Sequence, residues 1–254
     1  GCGATFKKPH MNSVQLTYNH IHKVALFGIL GAILGKGGYR QMKAKNNEVA
    51  NMLNNKKLDI DNVEGIEKLE YVDFPEFYDY FKDLKISIVP TTPLIAKQFR
   101  RFSDTTRLTN KGENIIIDEQ FLVNPEWDIY ILEDENSKEI IDELRQVLTS
   151  REYCFEPYLG RNHFFANIEV LNANLQLNKV ESSEDDLLIS SLFKKSIYKG
   201  KDKFQEIEDY LSDYFIEEYF PTSLTRFLNY YNEEKFVLTN YKVFVNEVKD
   251  LYYD

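Results

Sequence analysis

Cysteine is almost absent from this chain: only Cys2 and Cys154 occur, far apart and without CxxC spacing. That excludes a disulfide framework and a cysteine zinc site, and it fits a reducing compartment; a cytoplasmic location is expected. Long hydrophobic runs are missing too. The apolar run Val24–Leu34 is eleven residues long, short of the ~20 that a membrane-spanning helix requires. The polar segment before it is too long for a signal peptide, so no membrane partner is expected. Histidine is scarce, with four residues. His20 and His22 have ligand-like spacing but no third ligand near them in sequence, so neither a metal nor another cofactor is expected. Gly35-Lys-Gly-Gly38 follows a helix and lacks GxxxxGK[ST] spacing, which excludes a phosphate-cradling P-loop. The chain begins Gly-Cys-Gly, which reads as a first strand with residues missing before it.

Acidic residues are the other shortage, and it is local. Residues 1–57 hold nine Lys/Arg against one acid, Glu48, a balance of +8, so the remaining residues carry −18 to reach the net −10. So acidic a protein does not bind polyanions indiscriminately; a concentrated basic end points to a local anion site. Residues 180–254 hold nine basic and sixteen acidic residues, or −7. That acidic piece is either a solvated face or a surface for a basic subunit. Aromatics are plentiful, with 17 Tyr and 18 Phe beside the lone Trp127, and serve cores, interfaces or base stacking.

Gly3–Lys8 reads as the end of a strand broken by Pro9. Asn19 is the expected cap of a helix from about His22 to Leu34 that stops at Gly35. Ala25, Gly28, Ala32 and Gly35 share one helical face. That smooth face suits packing on the chain's own sheet or close contact with a ligand or partner. Residues 40–72 read as an irregular insert. Pro75–Leu84 has a helical aromatic pattern, and Lys85–Val89 alternates as a strand closed by Pro90. Leu94–Asn114 is basic and turn-rich, with Asn110-Lys-Gly112 as a hairpin tip. Ile115–Val123 and Asp128–Leu132 read as strands; Asn136 or Ser137 caps a helix to about Leu148, and His163–Leu171 is a further strand. The order strand, helix, strand, strand, helix, strand is the split βαβ, or ferredoxin-like, unit. The fold class is therefore α+β: a ferredoxin-like, RNA-recognition-like βαββαβ domain over 1–178 with an inserted hairpin at about 94–116. A C-terminal extension over 179–254 is expected to be α+β or β-rich, with a helix across Phe204–Phe215 and strands at Phe236–Leu238 and Tyr241–Val245.

Lys7, Lys8, His10, Asn12, Gln15, Thr17 and Tyr18 form a dense set of donors with one stacking ring, the mixture that single-stranded RNA recognition uses; a solvated loop is the plain alternative. The helix starting near His22 places backbone N–H groups beside His20, His22 and Lys23, an arrangement suited to phosphate. A second basic cluster, Lys97, Arg100, Arg101, Arg107 and Lys111 with Phe99 and Phe102, is opposed only by Asp104. It can lay Arg forks along a phosphate backbone, or it is a surface hairpin. In Tyr158-Leu-Gly-Arg-Asn-His-Phe-Phe-Ala166, Gly160 allows a positive φ and a close backbone approach, while Arg161 and His163 can reach anions; a structural turn fits equally. Metal-free RNA cleavage needs a base and a phosphorane stabiliser. His10, Tyr18, His20 and Lys8 are of the right types but show no catalytic geometry, and no catalytic residue is assigned.

These segments also carry a resemblance. ATFKKPHMNSVQLTY followed by HKVALFGILGAILGKGGY resembles the opening of the CRISPR-associated Cas five family, RAMP-superfamily subunits that cap the 5′ handle of the guide RNA (crRNA) in type I Cascade complexes. DEQFLVNPEWDIYIL (118–132) and PYLGRNHFFANI (157–168) are similar to that family's internal strand and glycine-bearing loop, and FVLTNYKV (236–243) to the C-terminal part of its I-B branch. The resemblance implies a RAMP domain with a thumb hairpin and antiviral defence as the role. It also implies contact with the crRNA, a Cascade backbone subunit, the large subunit and target DNA near the protospacer-adjacent motif. Lys7, Lys8, His10, Asn12 and Tyr18 would lie in the handle-binding loop, and Lys97, Arg100, Arg101 and Arg107 in the thumb. The I-C branch cleaves precursor RNA with Tyr, Lys and His; this thumb lacks the adjacent Lys-His pair. The expectation is thus a non-enzymatic RNA-binding subunit, with a metal-independent endoribonuclease as the alternative and a protein-interaction module as a third reading.

Overall fold

In the computed structural model, the residues described are 1–9, 14–55, 71–104, 115–171, 187–197, 214–226, 228–239 and 242–243. The first strand, β1 (Gly3–Ala4), and a short β2 (Val14–Gln15) precede helix α1 (Lys23–Leu34). Helices α2 (Tyr39–Asn55) and α3 (Glu76–Phe81) follow, then β3 (Ile86–Pro90), β4 (Lys97–Asp104), β5 (Ile115–Val123), β6 (Trp127–Ile131) and α4 (Lys138–Ser150). Five more strands complete the described chain: β7 (Leu187–Leu188), β8 (Phe193–Lys194), β9 (Phe215–Leu224), β10 (Tyr231–Thr239) and β11 (Lys242–Val243).

The architecture is mixed α+β, and its first part follows the split βαβ order. Segment 157–166 lies beside β1, where the Leu159 carbonyl accepts from Thr5 N–H at 3.0 Å. On its other side β1 pairs antiparallel with β5 (Gly3↔Val123). Asn124, at φ 46°, turns the chain from β5 towards β6, which pairs antiparallel with β3. The order 157–166, β1, β5/β6, β3 is that of a ferredoxin-like sheet. Strands β4 and β5 form the long inserted hairpin, in register from Lys97↔Leu122 to Asp104↔Ile115; its tip, including Asn110-Lys-Gly112, lies outside the described residues.

Helix α1 is apolar nearly all round, with Val24, Leu26, Phe27, Ile29, Leu30, Gly31 and Ile33 buried, as a central helix should be. Its cap is His22 rather than Asn19: His22 Nδ1 accepts from Ala25 N–H at 3.2 Å, while Asn19 N–H is taken by Glu218. Gly35 ends it in the left-handed region at φ 73°, as its position predicts. Close approach on this helix falls at Gly31 and, on the expected Ala25/Gly28/Ala32/Gly35 face, at its C-terminal end, where Phe155 N–H bonds the Ala32 carbonyl and a Cβ on Gly35 would meet Cys154. A Cβ on Gly31 would collide with Phe77 of α3, whereas one on Gly28 would meet only a Phe77 ring carbon at 4.0 Å. Gly28→Ala should therefore stabilise the chain by up to about 1 kcal/mol through helix propensity. Gly31→Ala should cost about 1–2 kcal/mol net, because overpacking outweighs the same gain. Thermal melting of the two variants checks the opposite signs.

Three expectations are corrected. Residues 39–55 form α2 rather than an irregular insert. Its start has a capping-box-like reach-back, with Gln41 Oε1 accepting from Gly38 N–H at 3.1 Å, and Met42 is its buried anchor. Residues 163–171 do not extend into a strand, because the segment turns at Gly160 and pairs with itself through a Tyr158↔Phe165 bridge. Phe215 opens β9 rather than ending a helix; the rest of that expected helix lies outside the described residues. Strands β9 and β10 form a hairpin containing the expected strand at 236–238. Phe220 and Leu224 of β9 join the cluster built on α1, α3 and β3.

Candidate nucleic-acid interface

β5 holds β4 along one edge; along the other it holds β1 and, in parallel register, β2 (Val14↔Asp118, Gln15↔Glu119). Glu119 sits at the middle of this arrangement and is 0% exposed. Arg100, its cross-strand neighbour on β4, donates through Nε at 2.6 Å and through Nη2 to Glu119 Oε2. Arg161, from the loop after Gly160, donates through Nε to Oε1 at 2.6 Å and reaches Gln15 Oε1 through Nη2 at 3.0 Å. The Arg100 guanidinium lies 5.2 Å from the Phe164 ring centroid and that of Arg161 6.0 Å from Phe102, so each cation has a carboxylate and an aromatic face as partners.

His163 completes the cluster. Its Nε2 takes a hydrogen bond from Arg100 Nη1; since a guanidinium only donates, Nε2 is the unprotonated nitrogen. Its pKa is lowered, by desolvation first and then by the Arg100 charge. On the opposite face of the hairpin Arg101 forms a forked pair with Asp118, Nε–Oδ1 2.7 Å and Nη2–Oδ2 2.9 Å. The pair is exposed and contributes little to stability.

The basic N-terminal segment meets the acidic C-terminal hairpin of its own chain. Lys8 pairs with Glu218, Tyr18 Oη donates to Glu233, and Glu218 Oε2 also accepts from Asn19 N–H at 2.8 Å. Lys97 reaches the Thr17 carbonyl at 3.4 Å, and burial pulls its ammonium pKa down. Tyr18 is buried, and burial together with Glu233 pushes its phenol pKa up. His20 and His22 are buried as well; desolvation lowers them to about 4 and about 3, so both are neutral near pH 7. His20 Nδ1 takes the Trp127 indole N–H at 3.3 Å, and His22 is ringed by Phe6, Tyr18 and Tyr231.

The residues singled out from the sequence thus separate. Arg100, Arg161 and Gln15 converge on Glu119, with Gln15 itself buried. Lys7 is exposed, Lys8 and Lys97 are partly buried beside Glu218, and Arg101 faces Asp118. Lys23 lies over the Phe27 ring at 5.6 Å. As placed, Tyr18, His20 and His22 present almost no surface to a ligand. His10, Asn12 and Arg107 lie outside the described residues. Glu119 was missed; the signal available was the polar run Asp118-Glu-Gln120 interrupting an apolar strand, opposite a basic one. Among the described residues no group of His, Cys, Asp and Glu could hold a metal ion, and no helix is long and apolar enough to cross a membrane.

No family model matches the chain, and no curated protein matches it. Among solved structures it is similar to a chain of a "CRISPR RNA-guided surveillance complex". The two are 15% identical, with a TM-score of 0.47, over 96% of this chain and 88% of that one.

Proposed function

We propose that the protein is a non-catalytic guide-RNA-binding subunit of a type I-B-like Cascade, capping the crRNA 5′ handle and joining the backbone and large subunits in antiviral defence. The observation that carries this reading is the convergence of Arg100 and Arg161 on Glu119. It unites the basic hairpin and the glycine-bearing loop, two segments of the sequence resemblance, in one cationic site on a ferredoxin-like sheet. Arg and aromatic groups alternating on such a face suit phosphate and base contacts of single-stranded RNA. Lys7 and the outer hairpin cations supply the salt-dependent share of affinity. Target DNA near the protospacer-adjacent motif is a further contact of the assembled complex. Nuclease footprinting of the guide RNA within that complex is expected to show the repeat-derived 5′ tag protected, and protection lost with Arg100→Ala plus Arg161→Ala. A tag as accessible as free RNA would contradict the reading.

One observation favours the alternative of a metal-independent endoribonuclease. His163 is exposed, and its unprotonated nitrogen lies beside a guanidinium, a pairing that base and phosphorane stabiliser require. Incubating the chain with repeat RNA in EDTA separates the two: intact RNA is expected, and discrete cleavage that disappears with His163→Ala would establish the alternative.

A further inference from the structure

We propose that Glu119 is a positioning residue: it holds Arg100 and Arg161 as a two-armed cradle for one phosphodiester of single-stranded RNA. This rests on the RNA-binding reading and assigns it a residue of the wrong charge for RNA. Glu119 is 0% exposed, yet the two arginines it binds keep side-chain exposures of 32% and 38%. The carboxylate is therefore closed to solvent while the cations remain within reach of it. Both guanidiniums bond one carboxylate group, Arg100 on Oε2 and Arg161 on Oε1, which brings the two cations to the same anion. Two bare arginines that close would repel. The intervening Glu removes that repulsion and leaves the trio at +1, still attractive to an anion.

The surroundings fix the arms further. Phe164 and Phe102 lie against the two guanidiniums, Gln15 accepts from Arg161, and His163 accepts from Arg100. Bidentate Arg recognition of an oxyanion depends on such preorganisation, because the planar fork loses less freedom when already held. A purely structural role, tying loop 157–166 to the sheet, would need the same bonds but makes a different prediction for binding.

The two are separated by variants in which charge and position have opposite effects. Glu119→Gln raises the local charge from +1 to +2. If charge alone mattered, the full chain would bind a fluorescein-labelled single-stranded repeat RNA more tightly. Positioning predicts about tenfold weaker binding, the loss of one charge-assisted hydrogen bond of about 1.5 kcal/mol. Arg161→Lys keeps the charge but loses the fork, and about tenfold weakening is expected there also. Thermal melts establish that each variant is folded, and Arg161→Lys carries the test if Glu119→Gln does not fold. Binding by either folded variant at wild-type strength or tighter overturns the role of Glu119. A wild-type chain with no salt-sensitive affinity for the RNA instead contradicts the RNA-binding reading itself.

Discussion

Lowering the pH from 7 to 5 is expected to destabilise the folded chain by roughly 4 kcal/mol, with His20 and His22 as the cause. Both are buried and neutral, with folded values of about 4 and about 3, against about 6.5 in an unfolded chain. Above pH 6.5 neither state holds these protons, and their full stability is present. Below it the unfolded chain takes up two protons that the folded chain refuses, so stability falls with pH until the folded values are reached. Each histidine loses about 1.4 kcal/mol per pH unit in that window. The carboxylates held low by partners, Asp118, Asp134 and Glu217, act in the same direction but at lower pH. His22→Asn keeps an acceptor at the head of α1 without the titration, and should halve the loss between pH 7 and 5. Urea unfolding at several pH values measures it; a profile unchanged by His22→Asn would place the titration elsewhere.

Gly160→Ala is expected to cost roughly 3 kcal/mol, combining a strained left-handed backbone with a collision. Gly160 has φ 83°, and an added Cβ would fall inside the carbonyl oxygen of Thr5, the residue that follows β1. That obstacle is backbone continuous with β1 and tied by its own hydrogen bond to Leu159, and it has nowhere to go. At Gly35, also at positive φ, the obstacle is the Cys154 side chain, which can give way. For a chain of this size the Gly160 variant should lower the melting temperature by roughly 6–12 °C, with Gly35→Ala losing clearly less. Because Thr5 N–H and Leu159 C=O bond across the same contact, the loop carrying Arg161 should shift with it. RNA affinity should then fall as well. Equal losses at the two glycines would show that φ alone, rather than the sheet contact, sets the cost.

Much of the frame could be read from local chemistry. The Gly35 stop, the helix beginning after Ser137, the Ile115–Val123 strand and the close approach at Gly160 each depend on a few neighbouring residues, and the sequence displays them. Helix α2 escaped because it buries little: between polar Tyr39 and Asn55 its clearest anchor is Met42, and its start signal is a Gln reaching back to a glycine. The burial of Tyr18, His20 and His22 escaped because polar types beside basic residues read as a surface. What covers them is the β9–β10 hairpin, some two hundred residues away in sequence, through Glu218, Phe220, Tyr231 and Glu233. The acidic C-terminal piece could be read as a partner surface, but not that its partner included the chain's own basic beginning. The site itself was half legible. The arginines stood out by charge; the Glu119 that assembles them did not, because nothing local separates it from its neighbour Asp118, which lies on the opposite face of the hairpin and pairs with Arg101.

As proposed, the protein grips the handle of a guide RNA. The most direct measurement is the affinity of the complex containing this chain for guide RNA whose repeat-derived 5′ tag is native or scrambled, at constant length and salt. Scrambling the tag is expected to weaken assembly at least tenfold, and the difference is expected to collapse when Arg100 and Arg161 are both replaced. Equal affinity for the two RNAs in the wild-type complex would contradict it.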